Sequence, residues 1–224
     1  MSENLAAVAI DGPVGAGKST IAREAAKRLG FIYADTGAMY RSVGLYCKRN
    51  GVDMTSPAEI AAQLGNIKVE VKLIDGTQHV FLNGEDVSEE IRLPEISMAA
   101  SAVSAVPEVR AHLLELQRGL AVNGGVIMDG RDIGTVVLPD ARVKIFLTAS
   151  PEIRARRRYD ELISKGKDVT FEEVLSDLNE RDYNDSHRAA APLKQAEDAV
   201  LADTSELDFE GSVDLVCRII KEKM

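Results

Sequence analysis

Short apolar runs alternate with amphipathic stretches along most of this chain. The run from Leu5 to Ile10 predicts a buried strand, and the stretch from Ser19 to Leu29 predicts a helix that ends at Gly30. Strands that alternate with helices predict an α/β fold with a parallel sheet covered by helices on both faces. Further strands are predicted at 31–34, 126–128, 143–147 and 199–201, and further helices at 38–49, 94–106, 108–122 and 212–222 and from Pro57, Pro151 and Phe171.

The segment between residues 67 and 83 has a different pattern. Apolar residues at every second position from Ile67 to Leu73 predict a half-exposed strand, because side chains alternate between the two faces of a strand. Asp75-Gly76 predicts a turn, and His79 to Asn83 predicts the returning strand. The segment is therefore expected to form a small antiparallel sheet inserted into the main fold.

The loop after the first predicted strand has the pattern G-x-x-x-x-G-K-[ST] of a P-loop. Its backbone N–H groups and the following helix N-terminus favour phosphate binding, Lys18 would reach the β- and γ-phosphates, and the Ser19 hydroxyl would bind Mg²⁺. The alternative is a glycine-rich turn that binds nothing. The predicted phosphate-binding residues are Gly12, Pro13, Val14, Gly15, Ala16, Gly17, Lys18, Ser19 and Thr20.

Composition narrows the class of protein. The 224 residues, 45% of them hydrophobic, suit one compact α/β unit, and the net charge of -9 argues against a general nucleic-acid binder. No apolar run is long enough to cross a bilayer, and the first ten residues lack the basic start of a signal peptide. Cys47 and Cys217 have no metal-ligand spacing, so we expect reduced thiols in a cytoplasmic protein without membrane contact. No motif requires a partner chain, so a monomer is expected.

Charged residues follow the buried strand at 126–128. Arg131 and Asp132 are expected to face the same crevice as the P-loop, since ligands bind at the carboxyl ends of parallel strands. The alternative is an internal ion pair that holds a turn. Asp129 either helps to hold the Mg²⁺ shell or forms a turn.

The helix from Phe171 carries an apolar stripe that becomes charged after Leu178. Arg181, Asp185 and Arg188 continue the stripe at helical spacing, and Asp182 lies on the same side. Charges that face inward are costly unless they are paired or bind a ligand, so we predict a site there. The alternative is a helix that frays after Leu178 and exposes these charges.

An arginine-rich segment begins the preceding helix. Arg154, Arg157 and Arg158 share one side of that helix. A solvated face paired with Asp160 and Glu161 is one explanation. In an acidic chain with a phosphate site, we instead predict a lid that neutralises charge during transfer.

Two classes of P-loop protein are excluded because their characteristic motifs are absent from the sequence. The chain contains neither the N-K-x-D signature of GTPases nor the L-S-G-G-Q segment of transporter ATPases. Arginines beyond the P-loop suit phosphoryl transfer to a small anionic acceptor, where donor and acceptor are both negatively charged.

The chain resembles the bacterial cytidylate kinases, a family of nucleoside monophosphate kinases. The resemblance rests on IDGPVGAGKST, DTGAMYR, GRDIGTVVLPDA, VKIFLTAS and ERDYNDSHRAAAPL, which span Ile10 to Leu193. It implies a P-loop NTPase fold and the transfer of a phosphoryl group from ATP to CMP or dCMP, with Mg²⁺. Some family members have Ser at the position of Thr36, and some have Gly at that of Ser19.

The resemblance also implies roles for matching residues. The CMP phosphate would be bound by Arg41, Arg131 and Arg181; cytosine by Thr36, Arg110, Asp132 and Arg188; the sugar by Ser101, Arg181 and Asp185; and ATP by the P-loop and by Arg154, Arg157 and Arg158. Lys18, Arg131, Arg157 and Arg181 are the expected catalytic residues, and Ser19 and Asp129 the expected metal-site residues.

The expected organisation is a single kinase unit with three parts. The core comprises 1–37, 103–150 and 190–224, the acceptor-binding domain with its insert spans about 38–102, and the helical lid spans about 151–189. Two rival functions stay open at this point. In the first, the kinase uses UMP as well as CMP, or another small molecule is the acceptor. In the second, the protein is a nucleotide-binding switch or a regulatory subunit without turnover.

Overall fold

The computed structural model describes residues 6–224, except for the side chain of Pro94. The chain divides into two compact units, one formed by the residues up to Phe31 together with Gly124–Met224, and the other by Ile32–Asn123. The strands are β1 (Val8–Asp11), β2 (Ile32–Asp35), β3 (Val69–Ile74), β4 (Thr77–Leu82), β5 (Glu85–Asp86), β6 (Val126–Gly130), β7 (Val143–Thr148) and β8 (Val200–Asp203). The helices are α1 (Lys18–Leu29), α2 (Thr36–Arg49), α3 (Pro57–Ala62), α4 (Pro94–Ser104), α5 (Pro107–Gly119), α6 (Pro151–Ser164), α7 (Phe171–His187) and α8 (Phe209–Lys223).

A parallel sheet forms the centre of the first unit, in the order β6-β1-β7-β8, and helices flank it. Val8 of β1 pairs with Ile127 on one side and with Val143 on the other. All residues of β1 and β6 are buried, which explains why these strands are continuous apolar runs rather than alternating ones. The α/β fold predicted from the sequence is confirmed, although Leu5, the predicted start of β1, lies outside the described residues.

Local signals in the sequence set several helix boundaries. Gly30 has the left-handed conformation of a C-terminal cap, and the Ser150 hydroxyl accepts a hydrogen bond from the Ile153 N–H at the start of α6. Thr170 and Glu173 form the capping box that begins α7. That helix continues unbroken to His187, so the alternative in which it frays after Leu178 is wrong.

The second unit contains the antiparallel sheet predicted from residues 67–83. Its strands lie in the order β3-β4-β5, and the turn between β3 and β4 places Asp75 and Gly76 at positive φ. The two-residue strand β5 was not predicted. Close packing joins α2 to α4, since a Cβ atom on Gly44 would lie 3.0 Å from backbone atoms of Ala99 and Ala100. This unit contains the whole predicted acceptor-binding segment, and also α5.

Among the helices of residues 6–224, none combines the length and the apolar composition that crossing a bilayer requires.

Candidate active site

The P-loop curves tightly between β1 and α1. Gly12 has φ of +153°, and a Cβ atom there would lie 1.9 Å from the carbonyl oxygen of Leu147 on β7. Gly15 and Gly17 adopt left-handed conformations, with φ of 74° and 82°. Only glycine tolerates this combination of conformation and close approach, so the glycines of the motif are required by the backbone itself.

Lys18 lies at the start of α1 and is almost completely buried. Its Nζ atom donates a hydrogen bond of 2.7 Å to the carbonyl oxygen of Pro13, within the same loop. Burial, together with the positive charge of Arg131, lowers the pKa of Lys18 to about 7. Phosphate oxygens beside this amine would favour its charged form, so the loop is suited to an anionic ligand.

Ser19 and Asp129 meet where the P-loop faces β6. The Ser19 hydroxyl donates a hydrogen bond of 2.8 Å to Oδ2 of Asp129, which is buried. Asp129 lies within β6 and pairs with Ile10, so the alternative that it forms a turn is wrong. A hydroxyl and a carboxylate are hard oxygen donors of the kind that Mg²⁺ binds, and the two residues fit a magnesium site. Residues 6–224 contain no group of three or more His, Cys, Asp or Glu side chains that could hold a metal ion.

Asp11, at the end of β1, is a buried carboxylate that the sequence did not single out. Its two oxygens accept hydrogen bonds of 2.7 Å from the N–H groups of Ile133 and Gly134. These donors begin a π-helical turn, Ile133–Val137, which was also not predicted. Asp11 therefore ties the strand that precedes the P-loop to the segment that follows Asp132.

Asp11 is expected to titrate well above an ordinary aspartate. Burial raises the pKa of Asp11 to about 6, although its two backbone hydrogen bonds act in the opposite direction. Since the folded chain binds this proton more tightly than the unfolded chain, the contribution of Asp11 to stability decreases as pH rises from about 4 to above 6. Carboxyl ¹³C NMR would give a midpoint near pH 6, with Asp198, whose pKa the Lys144 ammonium lowers, as the control. A midpoint below 4 would show that the two N–H donors outweigh burial.

Three arginines and two carboxylates form a cluster beyond the P-loop. Arg131 Nε donates a hydrogen bond of 2.8 Å to Asp185 Oδ2. Arg188 lies 3.7 Å from Asp132 Oδ1 and 3.8 Å from Asp185 Oδ1, measured from its terminal nitrogens. The side chains of Asp132 and Arg188 are each only 6% exposed. The structure thus brings Arg131 and Asp132, in the loop after β6, together with Asp185 of α7 and Arg188 at its C-terminus.

The electrostatics of this cluster favour an anion. Burial would raise the pKa of Asp185, but Arg131 and the other arginines lower it below its ordinary value, so the carboxylate is charged at neutral pH. Burial and the positive charge of Arg131 lower the pKa of Arg181. The two guanidinium groups therefore repel each other. A phosphate dianion between them would relieve that repulsion.

The three arginines of α6 have different environments. Arg154 is buried and donates to the carbonyl oxygens of Ala149 and Val14, whereas Arg158 is partly exposed and forms an ion pair of 2.7 Å with Glu161. The solvated-face interpretation therefore fits Arg158 but not Arg154.

Arg157 contacts the loop after β8. It donates hydrogen bonds to the hydroxyl and carbonyl oxygens of Thr204 and to the carbonyl oxygen of Leu207, at 2.8–3.2 Å. These acceptors are neutral, and burial lowers the pKa of the guanidinium. Its predicted role toward ATP stays a prediction.

The remaining predicted residues lie in the second unit. Thr36 is the buried first residue of α2, and Arg41 forms an ion pair of 2.6 Å with Asp35, the residue that caps this helix. The Nε atom of Arg41 is buried without a hydrogen-bond partner in the described part of the chain. Ser101 lies half-buried on α4. Arg110, on α5, is nearly buried, with its guanidinium 5.4 Å from the ring centre of Tyr40.

Asp11 was not predicted as a site residue, and Asp182 was predicted only as part of the charged face of α7, without a contact to the P-loop. Asp11 ends an apolar strand, and nothing in the local pattern distinguishes it from an ordinary strand-end residue. Asp182 accepts hydrogen bonds from Val14 and Arg154, partners that its position on the charged face of α7 did not indicate. Both roles depend on contacts between residues far apart in the chain.

Comparison with known proteins agrees with this geometry. The family model described as cytidylate kinase matches residues 8–222. Cytidylate kinase of Caldicellulosiruptor bescii is 53% identical over 203 residues, covering 91% of this chain and 90% of that protein. The enzymes so named from Pelotomaculum thermopropionicum and Desulfitobacterium hafniense are 52% and 49% identical, covering 93% and 100% of this chain and 93% and 96% of those proteins.

Solved structures support the fold alone. An uncharacterized protein from Eubacterium ventriosum superimposes with a TM-score of 0.53 at 10% identity, covering 96% of this chain and 98% of its own. The matched family model, the three relatives and the P-loop on a parallel sheet agree with one another. This chain belongs to the cytidylate kinase family.

Proposed function

We propose that this protein is a nucleoside monophosphate kinase that transfers the γ-phosphoryl group of ATP to CMP and dCMP. The observation that carries the proposal is the presence, in one compact unit, of a P-loop and a buried cluster of arginines and carboxylates. A P-loop alone suits any nucleotide triphosphatase. A second cationic site suits an enzyme whose acceptor is itself a phosphate.

The reaction we propose is a direct in-line transfer. The bond between the γ-phosphorus and the β–γ bridging oxygen breaks, a bond to an oxygen of the CMP phosphate forms, and ADP leaves. The second pKa of a phosphate monoester is about 6, so the acceptor is mostly dianionic at neutral pH and no general base is needed. Catalysis then depends on positioning and on stabilising the charge that moves toward ADP.

Residues of the P-loop would bind the phosphoryl donor, ATP. Its N–H groups and the N-terminus of α1 would bind the ATP phosphates, and Lys18 would follow the charge that develops on the leaving ADP. Ser19 and Asp129 would hold Mg²⁺, which supplies neutralisation of the β- and γ-phosphate charge when bound. Arg154, Arg157 and Arg158 of α6 would belong to a lid over ATP, within the segment of about 151–189.

Residues of the arginine cluster and residues of the second unit would bind the acceptor, CMP. A carboxylate such as Asp132 is a natural acceptor for the exocyclic amino group of cytosine, whereas uracil presents an oxygen at that place. We propose that Arg41, Arg131 and Arg181 bind the CMP phosphate, that Thr36, Arg110, Asp132 and Arg188 bind cytosine, and that Ser101, Arg181 and Asp185 face the sugar. Closure of the lid and of the acceptor-binding segment of about 38–102 would exclude water, which otherwise competes for the phosphoryl group.

One experiment separates this function from its rivals. ADP release from ATP and Mg²⁺ is measured with CMP, dCMP, UMP, AMP, GMP or no acceptor. We expect fast release only with CMP and dCMP. Equal rates with UMP would leave a kinase but contradict the proposed reading of cytosine, and release that ignores the acceptor would indicate an ATPase or a switch.

We further propose that the protein works as a monomer in the cytoplasm, where ATP and nucleoside monophosphates are available. No motif in the sequence requires a second chain. Sedimentation equilibrium with and without nucleotides would give the oligomeric state.

A further inference from the structure

The peptide groups on both sides of Val14, at the tip of the P-loop, are held by a single ion pair. The Val14 N–H donates a hydrogen bond of 3.2 Å to Asp182 Oδ1. Arg154 Nη1 donates to the Val14 carbonyl oxygen at 2.8 Å and to Asp182 Oδ2 at 2.6 Å. The loop tip is thus bound to α6 through Arg154 and to α7 through Asp182.

Packing around this ion pair is close. Arg154 has a side chain only 5% exposed, and its Nε donates a further hydrogen bond of 2.8 Å to the carbonyl oxygen of Ala149. A Cβ atom on Gly15 would lie 3.1 Å from Leu178 Cδ1, on the turn of α7 before Asp182, and 3.3 Å from Arg154 Cβ. The guanidinium is fixed in direction, and Asp182 compensates a charge that would be costly to bury alone.

Asp182 lies on the same helix as Arg181 and Asp185, two members of the cluster of arginines and carboxylates proposed to bind CMP. It follows Arg181 and precedes Asp185, which is hydrogen-bonded to Arg131. One continuous helix therefore carries both the contact to the P-loop tip and residues proposed to bind CMP.

We infer that Asp182 is a positioning residue for phosphoryl transfer, holding the P-loop tip at a fixed place relative to α7 so that ATP phosphates are bound in register with the acceptor site. This inference rests on the proposed function. The Asp182 carboxylate accepts hydrogen bonds from the Val14 N–H and from Arg154. Loss of this carboxylate would therefore change the shape and the charge of the loop that binds the ATP phosphates. The contact to CMP is left to other residues of the same helix.

The test is Asp182→Asn, in the full-length protein. An asparagine has the same shape as aspartate but only one oxygen. If that oxygen accepts from the Val14 N–H, the NH₂ group faces the Arg154 donor; if the amide is turned, Arg154 meets a neutral oxygen in place of a charged one. We expect kcat/KM for ATP to fall at least tenfold, the dissociation constant for ATP to rise at least fivefold, and the KM for CMP to stay within twofold. Asp177→Asn, an exposed position on the same helix, is the matched control and should stay within twofold of wild type in all three.

Two results would overturn the inference. One is an ATP dissociation constant and kcat/KM within twofold of wild type in Asp182→Asn. The other is a fall in kcat with both KM values unchanged and a matching loss of active sites by titration, which is the signature of a purely structural residue. If Asp182→Asn does not fold, Asp182→Glu keeps the charge but displaces both carboxylate oxygens from Val14 and Arg154, and the same ATP-selective loss is expected. Equilibrium titration with ATP tests the inference even if no monophosphate supports turnover, an outcome that would refute the proposed function separately.

Discussion

Replacing Lys18 by methionine is expected to lower kcat by about 10²–10³ while leaving the fold intact. The amine lies in the P-loop and donates to the Pro13 carbonyl oxygen, so it is directed along the loop that would surround the ATP phosphates. Methionine has a similar length and no charge, so it fills the buried space without supplying the cation that follows charge onto the leaving ADP. Since that charge develops in the transition state, the loss should appear in kcat more than in binding.

Steady-state ADP release at saturating ATP and CMP would measure this effect, with circular dichroism to verify folding. Lys27→Met, at an exposed position of the same helix, is the control and should retain wild-type kcat. A folded Lys18→Met enzyme with near-normal kcat would contradict the assigned role of Lys18.

Replacing Asp132 by asparagine is expected to reduce the preference for CMP over UMP by roughly 10- to 100-fold, the range of a good bidentate base contact. Asp132 is buried and faces Arg188. A carboxylate accepts from the amino group of cytosine and repels the oxygen that uracil presents at that place. An asparagine amide can donate its N–H to the uracil oxygen, so UMP binding is no longer opposed by repulsion. CMP at the same time loses the charged acceptor for its amino group, so the two acceptors become more alike.

The ratio of kcat/KM for CMP to kcat/KM for UMP measures the effect, since this ratio expresses discrimination between competing acceptors. Asp140→Asn, an exposed change in the same region of the chain, should leave the ratio unchanged. An unchanged ratio in Asp132→Asn would show that Asp132 does not contact the base, although the kinase assignment would stand.

Much of the fold was predictable because it depends on short-range signals. The apolar runs of β1, β6 and β7, the Gly30 cap and the Thr170–Glu173 capping box each act within a few residues, and all are present in the structure. The antiparallel insert was predictable because apolar residues recur at every second position, which is the period of a strand and not of a helix. The charged face of α7 was predictable because Arg181, Asp185 and Arg188 continue an apolar stripe at helical spacing.

The features that were not predicted depend on contacts between distant residues. Asp11 acts through N–H groups of Ile133 and Gly134, and a π-helical turn has no sequence pattern of its own. Asp182 acts through Val14 and Arg154, which lie on two other elements. Neither the buried state of Arg154 nor the direction of Arg157 toward Thr204 follows from the spacing of arginines along α6.

The unit that holds the P-loop is discontinuous in the chain, and this affects the order in which the protein is synthesised and folds. The strand β1 leaves the ribosome before both of its neighbours in the sheet, which contain Ile127 and Val143. The intervening unit, Ile32–Asn123, is continuous and is complete first. Because domains tend to fold as units during synthesis, the apolar strand β1 must wait without its sheet partners while this unit forms. A chain that ends at Asn123 would contain the whole inserted unit but neither of the strands that pair with β1.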